Sequence, residues 1–191
     1  MMIGITGMGG SGKSTLARKL CELNNKCVHY ELDEVRQEVL KLNELRQTFI
    51  SIYSDRILTD GIFDKKKLFE IGFSNSDELD LINEVIIKYM YLIIDTFINK
   101  NKEKIILLDW FLLDKTKYFN ICNKKILLIA NKENRYSRIK LHDGMAINKI
   151  EKIEAITSNY SNSAFDFVVS TDKPISKELI NRILGSMEDL K

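Results

Sequence analysis

Gly7-Met8-Gly9-Gly10-Ser11-Gly12-Lys13-Ser14, followed by Thr15, decides how this chain folds. The stretch satisfies G-x-x-x-x-G-K-[ST] in full, a spacing with a physical cause. Glycines let the backbone turn so that successive N–H groups point inward and form an anion-binding nest, where a side chain would stand in the way. A helix beginning near Lys13 adds its positive end to the same point. In this reading Gly9, Gly10, Ser11, Gly12, Lys13, Ser14 and Thr15 cradle the phosphates of ATP. Lys13 reaches the β- and γ-phosphates and the Ser14 hydroxyl meets magnesium. A glycine turn that merely joined a strand to a helix would not require the Lys-Ser pair.

The surroundings suit the motif. Before it, Met2-Ile-Gly-Ile-Thr6 is the short apolar run of a buried parallel strand. After it, Leu16, Leu20 and Leu23 recur at helical spacing, with Arg18, Lys19 and Glu22 facing elsewhere. Cys27–Leu32 reads as a second strand and Asp33–Leu42 as a helix. The middle of the chain reads as helical. Its long helix is capped by Ser76, carries Asp77 and Glu78 in the first turn, and has Leu79, Ile82, Ile86, Met90, Ile93 and Phe97 as its stripe. Ile105–Leu108, Ile126–Ala130 and Phe167–Val169 are continuous apolar runs suited to strands covered on both faces. Leu179, Ile180, Ile183, Leu184 and Met187 share one face of a last helix. Strand–helix alternation at both ends with a helical insert between predicts an α/β fold with a mainly parallel sheet.

Composition narrows the function classes. The 191 residues are 45% hydrophobic and 29% charged, as in an ordinary globular domain, and the chain holds a single proline and no repeat. A net charge of +2 is too weak to point to nucleic acid. Cys21, Cys27 and Cys122 form no C-x-x-C pair and read as thiols in a reducing compartment. Val85–Ile94 is the most apolar run, but Lys88 interrupts it and it falls short of a membrane span. Met2–Thr6 reads as a strand and not as a leader. The expectation is a cytoplasmic enzyme with a small-molecule substrate and neither nucleic acid nor membrane as partner.

Phosphoryl transfer needs a group for the acceptor hydroxyl, a carboxylate near the metal and cations on the moving phosphate. Asp33, just past the second strand, lies at the edge where ligands bind in doubly wound sheets and is the candidate acceptor of the hydroxyl proton, with a helix N-cap as its bland alternative. Glu31 has only strand alternation with Asp33 in its favour. Asp109 ends the third strand and is the candidate for the substrate or, through water, for magnesium. Arg135, Arg138 and His142 share a helix face, with Arg138 the foremost candidate for stabilising the transferring group. Lys65 is a candidate for substrate phosphate, within a Lys65–Lys67 run that otherwise reads as solvated. His29 reads as a packed histidine. Trp110 and Phe111 read as pocket lining or core.

With these residues in view, the chain resembles the dephospho-coenzyme A kinase family from Met2 to about Asp172. The opening Ile3–Thr15 is similar to that family's first segment, and Glu31-Leu32-Asp33 stands where it has D-A-D. The run from Asp60 to Ser74 resembles its G-x-I-D-R-x-x-L-x-x-x-V-F-S stretch, which few other P-loop kinases carry. Asp109 to Leu113 falls at D-x-P-L-L, and Arg138 with His142-Asp143-Gly144 at the lid's R-x-x-x-R-D-G.

The resemblance implies a P-loop NTPase fold with a parallel five-stranded sheet flanked by helices, a helical substrate-binding insert and a lid. The core would span about 1–42 and 103–191, the insert about 43–102 and the lid about 131–158. It also implies ATP-dependent phosphorylation of the ribose 3′-hydroxyl of dephospho-CoA. Several positions depart from the family. Lys65 replaces an arginine, Phe111 a proline and His142 the second lid arginine, while Ile87-Lys88 replaces a His-Pro pair. In place of a later R-I-x-x-Q segment the polar residues are Lys149, Lys152 and Glu154. Two alternatives stay open on these departures. One is a kinase for another nucleoside, nucleotide or metabolite; the other is a regulatory protein that binds ATP without transfer.

Overall fold

The computed structural model describes residues 1–143, 151, 160 and 162–188. Five parallel strands form one sheet: β1 (Met2–Thr6), β2 (Cys27–Glu31), β5 (Ile105–Asp109), β6 (Lys124–Ile129) and β7 (Phe167–Ser170). Their order is β2-β5-β1-β6-β7, so the first strand made lies at the centre. Gly4 explains why that central strand carries a residue without a side chain. A Cβ there would stand 2.8 Å from Leu113 Cδ2 and 3.1 Å from Cys122 Sγ.

Helix α1 (Lys13–Leu23) and helix α8 (Lys177–Glu188) supply Leu16, Ala17, Leu20, Ile180, Ile183 and Met187 to the apolar cluster around β1, β5 and β6. Complete burial of a leucine or isoleucine is worth about 1.5–3 kcal/mol, so Leu16 and Leu20 anchor the helix that starts at the glycine loop. Leu23, expected on the same stripe, is 57% exposed because it is the last residue of its helix, and Ala17 takes the inward place. The three cysteines are free thiols. Burial pushes Cys27 up to about 11 and Cys122 up to about 12, so both remain neutral, as small apolar side chains do.

The chain divides into two compact units. One comprises Met1–Leu32 with Ile98–Lys191, the other Asp33–Phe97. The second unit begins ahead of the boundary expected at residue 43. It contains α2 (Leu32–Val39), α3 (Asn43–Tyr53), α4 (Lys65–Ser74) and most of α5 (Ser76–Lys100). It is not wholly helical as expected, since β3 (Leu58–Thr59) and β4 (Ile62–Phe63) form an antiparallel hairpin. The turn falls on Asp60-Gly61, with φ of 52° and 77°, the left-handed pair that a two-residue hairpin demands.

Asp64 caps α4 by accepting from the N–H groups of Lys66 and Lys67. The cap of α5 is Asn75, whose Oδ1 accepts from the Asp77 N–H at 2.8 Å, and not Ser76. Ile94, not Ile93, is the buried residue near the end of α5, because Ile94 is in register with Met90 four residues earlier. Tyr53 donates to Glu78 Oε2 at 2.7 Å and thereby ties α3 to the start of α5. Among the described residues no helix is long and apolar enough to cross a membrane.

Candidate active site

Between β1 and α1 the glycine loop takes the shape its sequence requires. Gly10 and Gly12 lie at φ 73° and 88°, and Gly12 occupies the N-cap of α1 in left-handed geometry. Three consecutive loop carbonyls accept hydrogen bonds from outside the loop. Arg135 Nη1 donates to Gly9 O at 3.3 Å, Arg138 Nη1 to Gly10 O at 3.1 Å and the Thr171 hydroxyl to Ser11 O at 2.9 Å. A trans peptide points its N–H away from its C=O. Fixing the Gly9 and Ser11 carbonyls outward therefore turns the N–H groups of Gly10 and Gly12 to the opposite side, as an anion nest requires. Ser11 is fully buried, and its hydroxyl has no partner among the described residues. Lys13 extends its ammonium back toward Met8 O at 3.5 Å. Thr15 follows Ser14 in the first turn of α1 and is exposed.

At the carboxyl ends of the neighbouring strands, Asp109 is 1% exposed. Its Oδ2 accepts from the Ser14 hydroxyl at 2.7 Å and lies 3.1 Å from His29 Nε2. Glu31 stands beside Asp109 in the register of β2 on β5. The turn after Asp109 is pinned by Tyr160 and Thr6, whose hydroxyls both reach Phe111 O. Burial pushes Tyr160 up to about 12, which keeps its hydroxyl protonated as the donor. Trp110 is buried, packing edge-on to Phe111 with ring centroids 5.9 Å apart.

The second unit carries its own candidates. Asp33 is the second residue of α2, which begins at Leu32, so Asp33 is not the N-cap and no longer shares a strand with Glu31. One helical turn on, Arg36 lies over the Phe69 ring at 5.2 Å. Its Nε is buried without a partner among the described residues, and burial lowers its pKa. Lys65 Nζ stands 5.8 Å from the same ring and donates to Gln37 Oε1 at 3.1 Å.

Helix α7 (Lys132–Asp143) holds Arg135 and Arg138 on one face as their spacing predicts. Arg138 is further engaged by Thr171, through its hydroxyl at 3.1 Å and its carbonyl at 2.6 Å. The side chain of His142, residues 144–150, and Lys152 and Glu154 lie outside the described residues. The start of α7 is held by Asp172, which accepts from the Asn131 N–H at 2.8 Å and from Asn134 Nδ2 at 2.9 Å. These bonds hold the Asp172 carboxyl below its ordinary value of 3.8. A lowered carboxyl stabilises the fold above its unfolded pKa and loses that contribution as pH falls through the folded value. Asp172→Asn is therefore expected to lower the urea midpoint at neutral pH, the deficit vanishing in strong acid; paired urea titrations read it directly.

Thr171, His29 and Arg36 were not singled out for these places in the sequence, although each left a signal. Thr171 ends an apolar run as Asp109 does, His29 alternates with Glu31 along β2, and Arg36 follows Asp33 at helical spacing.

A phosphate loop after the central strand of a parallel sheet defines the first unit as a P-loop kinase fold. Solved structures share it. TT1252 from Thermus thermophilus superposes with a TM-score of 0.77 at 20% identity, covering 100% of this chain and 98% of that one. A dephospho-CoA kinase from Campylobacter jejuni superposes at 0.56 and 18% identity, covering 98% and 95%. In sequence, the family model for dephospho-CoA kinase matches residues 1–173. A Fusobacterium nucleatum protein named dephospho-CoA kinase is 31% identical over 163 residues, or 85% of this chain and 82% of its own. A second so named, from Dehalococcoides mccartyi, is 25% identical over 149 residues, 76% and 74% of the two chains. The chain belongs to the dephospho-CoA kinase family.

Proposed function

We propose that this chain transfers the γ-phosphoryl group of ATP to the ribose 3′-hydroxyl of dephospho-CoA, giving CoA and ADP. The observation that carries the reading is the extent of the family match. It runs over residues 1–173 and so takes in the second unit and Asp109 as well as the widely shared phosphate loop.

The nest N–H groups of Gly10 and Gly12 and the Lys13 ammonium hold the phosphates. Arg135, Arg138 and Thr171 keep the loop carbonyls turned away, so the nest is formed before the nucleotide arrives and costs little reorganisation. Arg138 also lends its positive charge to the loop from the carbonyl side.

The Ser14 hydroxyl and Asp109 carboxylate, 2.7 Å apart, are hard oxygen donors of the kind magnesium takes. They would hold that ion, directly or through water. Magnesium supplies neutralisation of phosphate charge. Asp33 accepts the proton of the acceptor hydroxyl, which raises the nucleophilicity of the oxygen. Lys65 and the half-buried Arg36 provide cations for the acceptor's own phosphates. The free thiols of Cys21, Cys27 and Cys122 suit a reducing cytoplasm.

Coupled ADP release with dephospho-CoA and a panel of nucleosides and sugars tests the proposal. Stimulation by dephospho-CoA, with the new phosphate on the 3′-oxygen, is expected. Turnover of a nucleoside or sugar with no response to dephospho-CoA would overturn it.

A further inference from the structure

Asp109 poses a charge problem within the first unit. Its carboxylate is almost fully buried, and among the described residues no lysine or arginine pairs with it. Its side-chain partners are the Ser14 hydroxyl and His29 Nε2. A buried carboxylate is stable only when it is paired or coordinates a metal. The neighbouring strand adds a further carboxylate where a counter-charge would be expected. His29 and Glu31 occupy alternate positions of β2 and so project to the same side of the sheet. Glu31 lies directly beside Asp109. One donor atom from each of His29, Glu31 and Asp109 falls within 4.8 Å of the other two. The His29 side chain is only 15% exposed.

One imidazole nitrogen and two carboxylates make a mixed donor set. Magnesium is served by oxygen donors and water, whereas imidazole suits first-row transition metals. We infer that His29, Glu31 and Asp109 form a divalent-cation site in which His29 is a direct ligand and selects manganese-like cations over magnesium. The inference rests on the phosphotransfer reading, since it names the cation that the Ser14–Asp109 edge would present to the nucleotide. It also reverses the reading of His29 as a packed side chain. A packed or purely hydrogen-bonding histidine would steady Asp109 without touching the ion.

The experiment uses the full chain, stripped with chelator and loaded with Mn²⁺ alone. Electron spin-echo spectroscopy is expected to show modulation from a directly bound ¹⁴N nucleus. His29→Asn should abolish that modulation and weaken Mn²⁺ binding by about tenfold or more, with Mg²⁺ binding little changed. Bound Mn²⁺ without nitrogen modulation in the unsubstituted chain overturns the inference, and so does equal competition between Mn²⁺ and Mg²⁺. If the variant does not fold, the spectrum of the unsubstituted chain decides alone. Absent modulation alongside Mg²⁺-dependent phosphorylation of dephospho-CoA sinks this inference only. Nitrogen modulation with no phosphotransfer sinks the functional reading only.

Discussion

Asp33→Asn is expected to lower kcat for dephospho-CoA phosphorylation by about 10²–10⁴-fold, the range that a positioned general base supplies. That loss corresponds to about 2.7–5.4 kcal/mol of transition-state stabilisation. The substitution keeps the side chain's size and removes its capacity to take a proton. Asp33 stands in the first turn of α2, so its backbone is fixed by that helix. It is not the cap of the helix, so the loss cannot be ascribed to a missing cap. Single-turnover kinetics would give the chemical step, and calorimetry the affinity for ATP. Unchanged ATP affinity with a slow step fits acceptor activation, whereas a parallel fall in both assigns Asp33 to the nucleotide.

Gly10→Ala should be severely damaging, because it breaks the tie between the phosphate loop and α7. Gly10 lies at φ 73°, and a Cβ there would stand 2.5 Å from Arg135 O and 3.0 Å from Arg135 Cα. The left-handed backbone alone costs an L-residue roughly 1–2 kcal/mol. The obstacle is helix backbone, which cannot swing aside as a side chain can. Either the loop opens or α7 shifts, and in both cases the Arg135 and Arg138 bonds to the loop carbonyls are lost. ATP affinity is expected to fall by about 10–100-fold, the equivalent of about 1–3 kcal/mol of local strain. Gly9→Ala is the control. Its Cβ would meet only Ile139 Cδ1 at 3.4 Å, so ATP titrations should show a much smaller change.

How far the sequence foretold this arrangement depended on the range of the interaction. Four of the five parallel strands were legible because each carries a continuous apolar run, β2 being the mixed exception, and the glycine loop because its spacing is itself the chemistry. Asp109 was legible as a strand end. The Asp60-Gly61 hairpin was missed because four strand residues lie inside a region of helical periodicity, although Asp-Gly is itself a turn signal. Asn75 displaced Ser76 as cap because either side chain can accept from the helix start, and only geometry decides between them. The roles of Thr171 and His29 could not be read from spacing. Each depends on a partner brought close by the sheet, Thr171 on Ser11 and His29 on Asp109.

The placement of β1 bears on how the polypeptide matures on the ribosome. The central strand is synthesised first, yet its two neighbours begin at Ile105 and Lys124. Until those segments emerge, Met2–Thr6 has neither lateral partner, and no stable sheet can nucleate from it. The phosphate loop waits longer still, because Ser11 is clasped by a threonine 160 positions later. Non-local pairing of this kind slows folding and prolongs the exposure of apolar strand edges. The nucleotide cradle near the start of the chain is therefore among the last features to become competent.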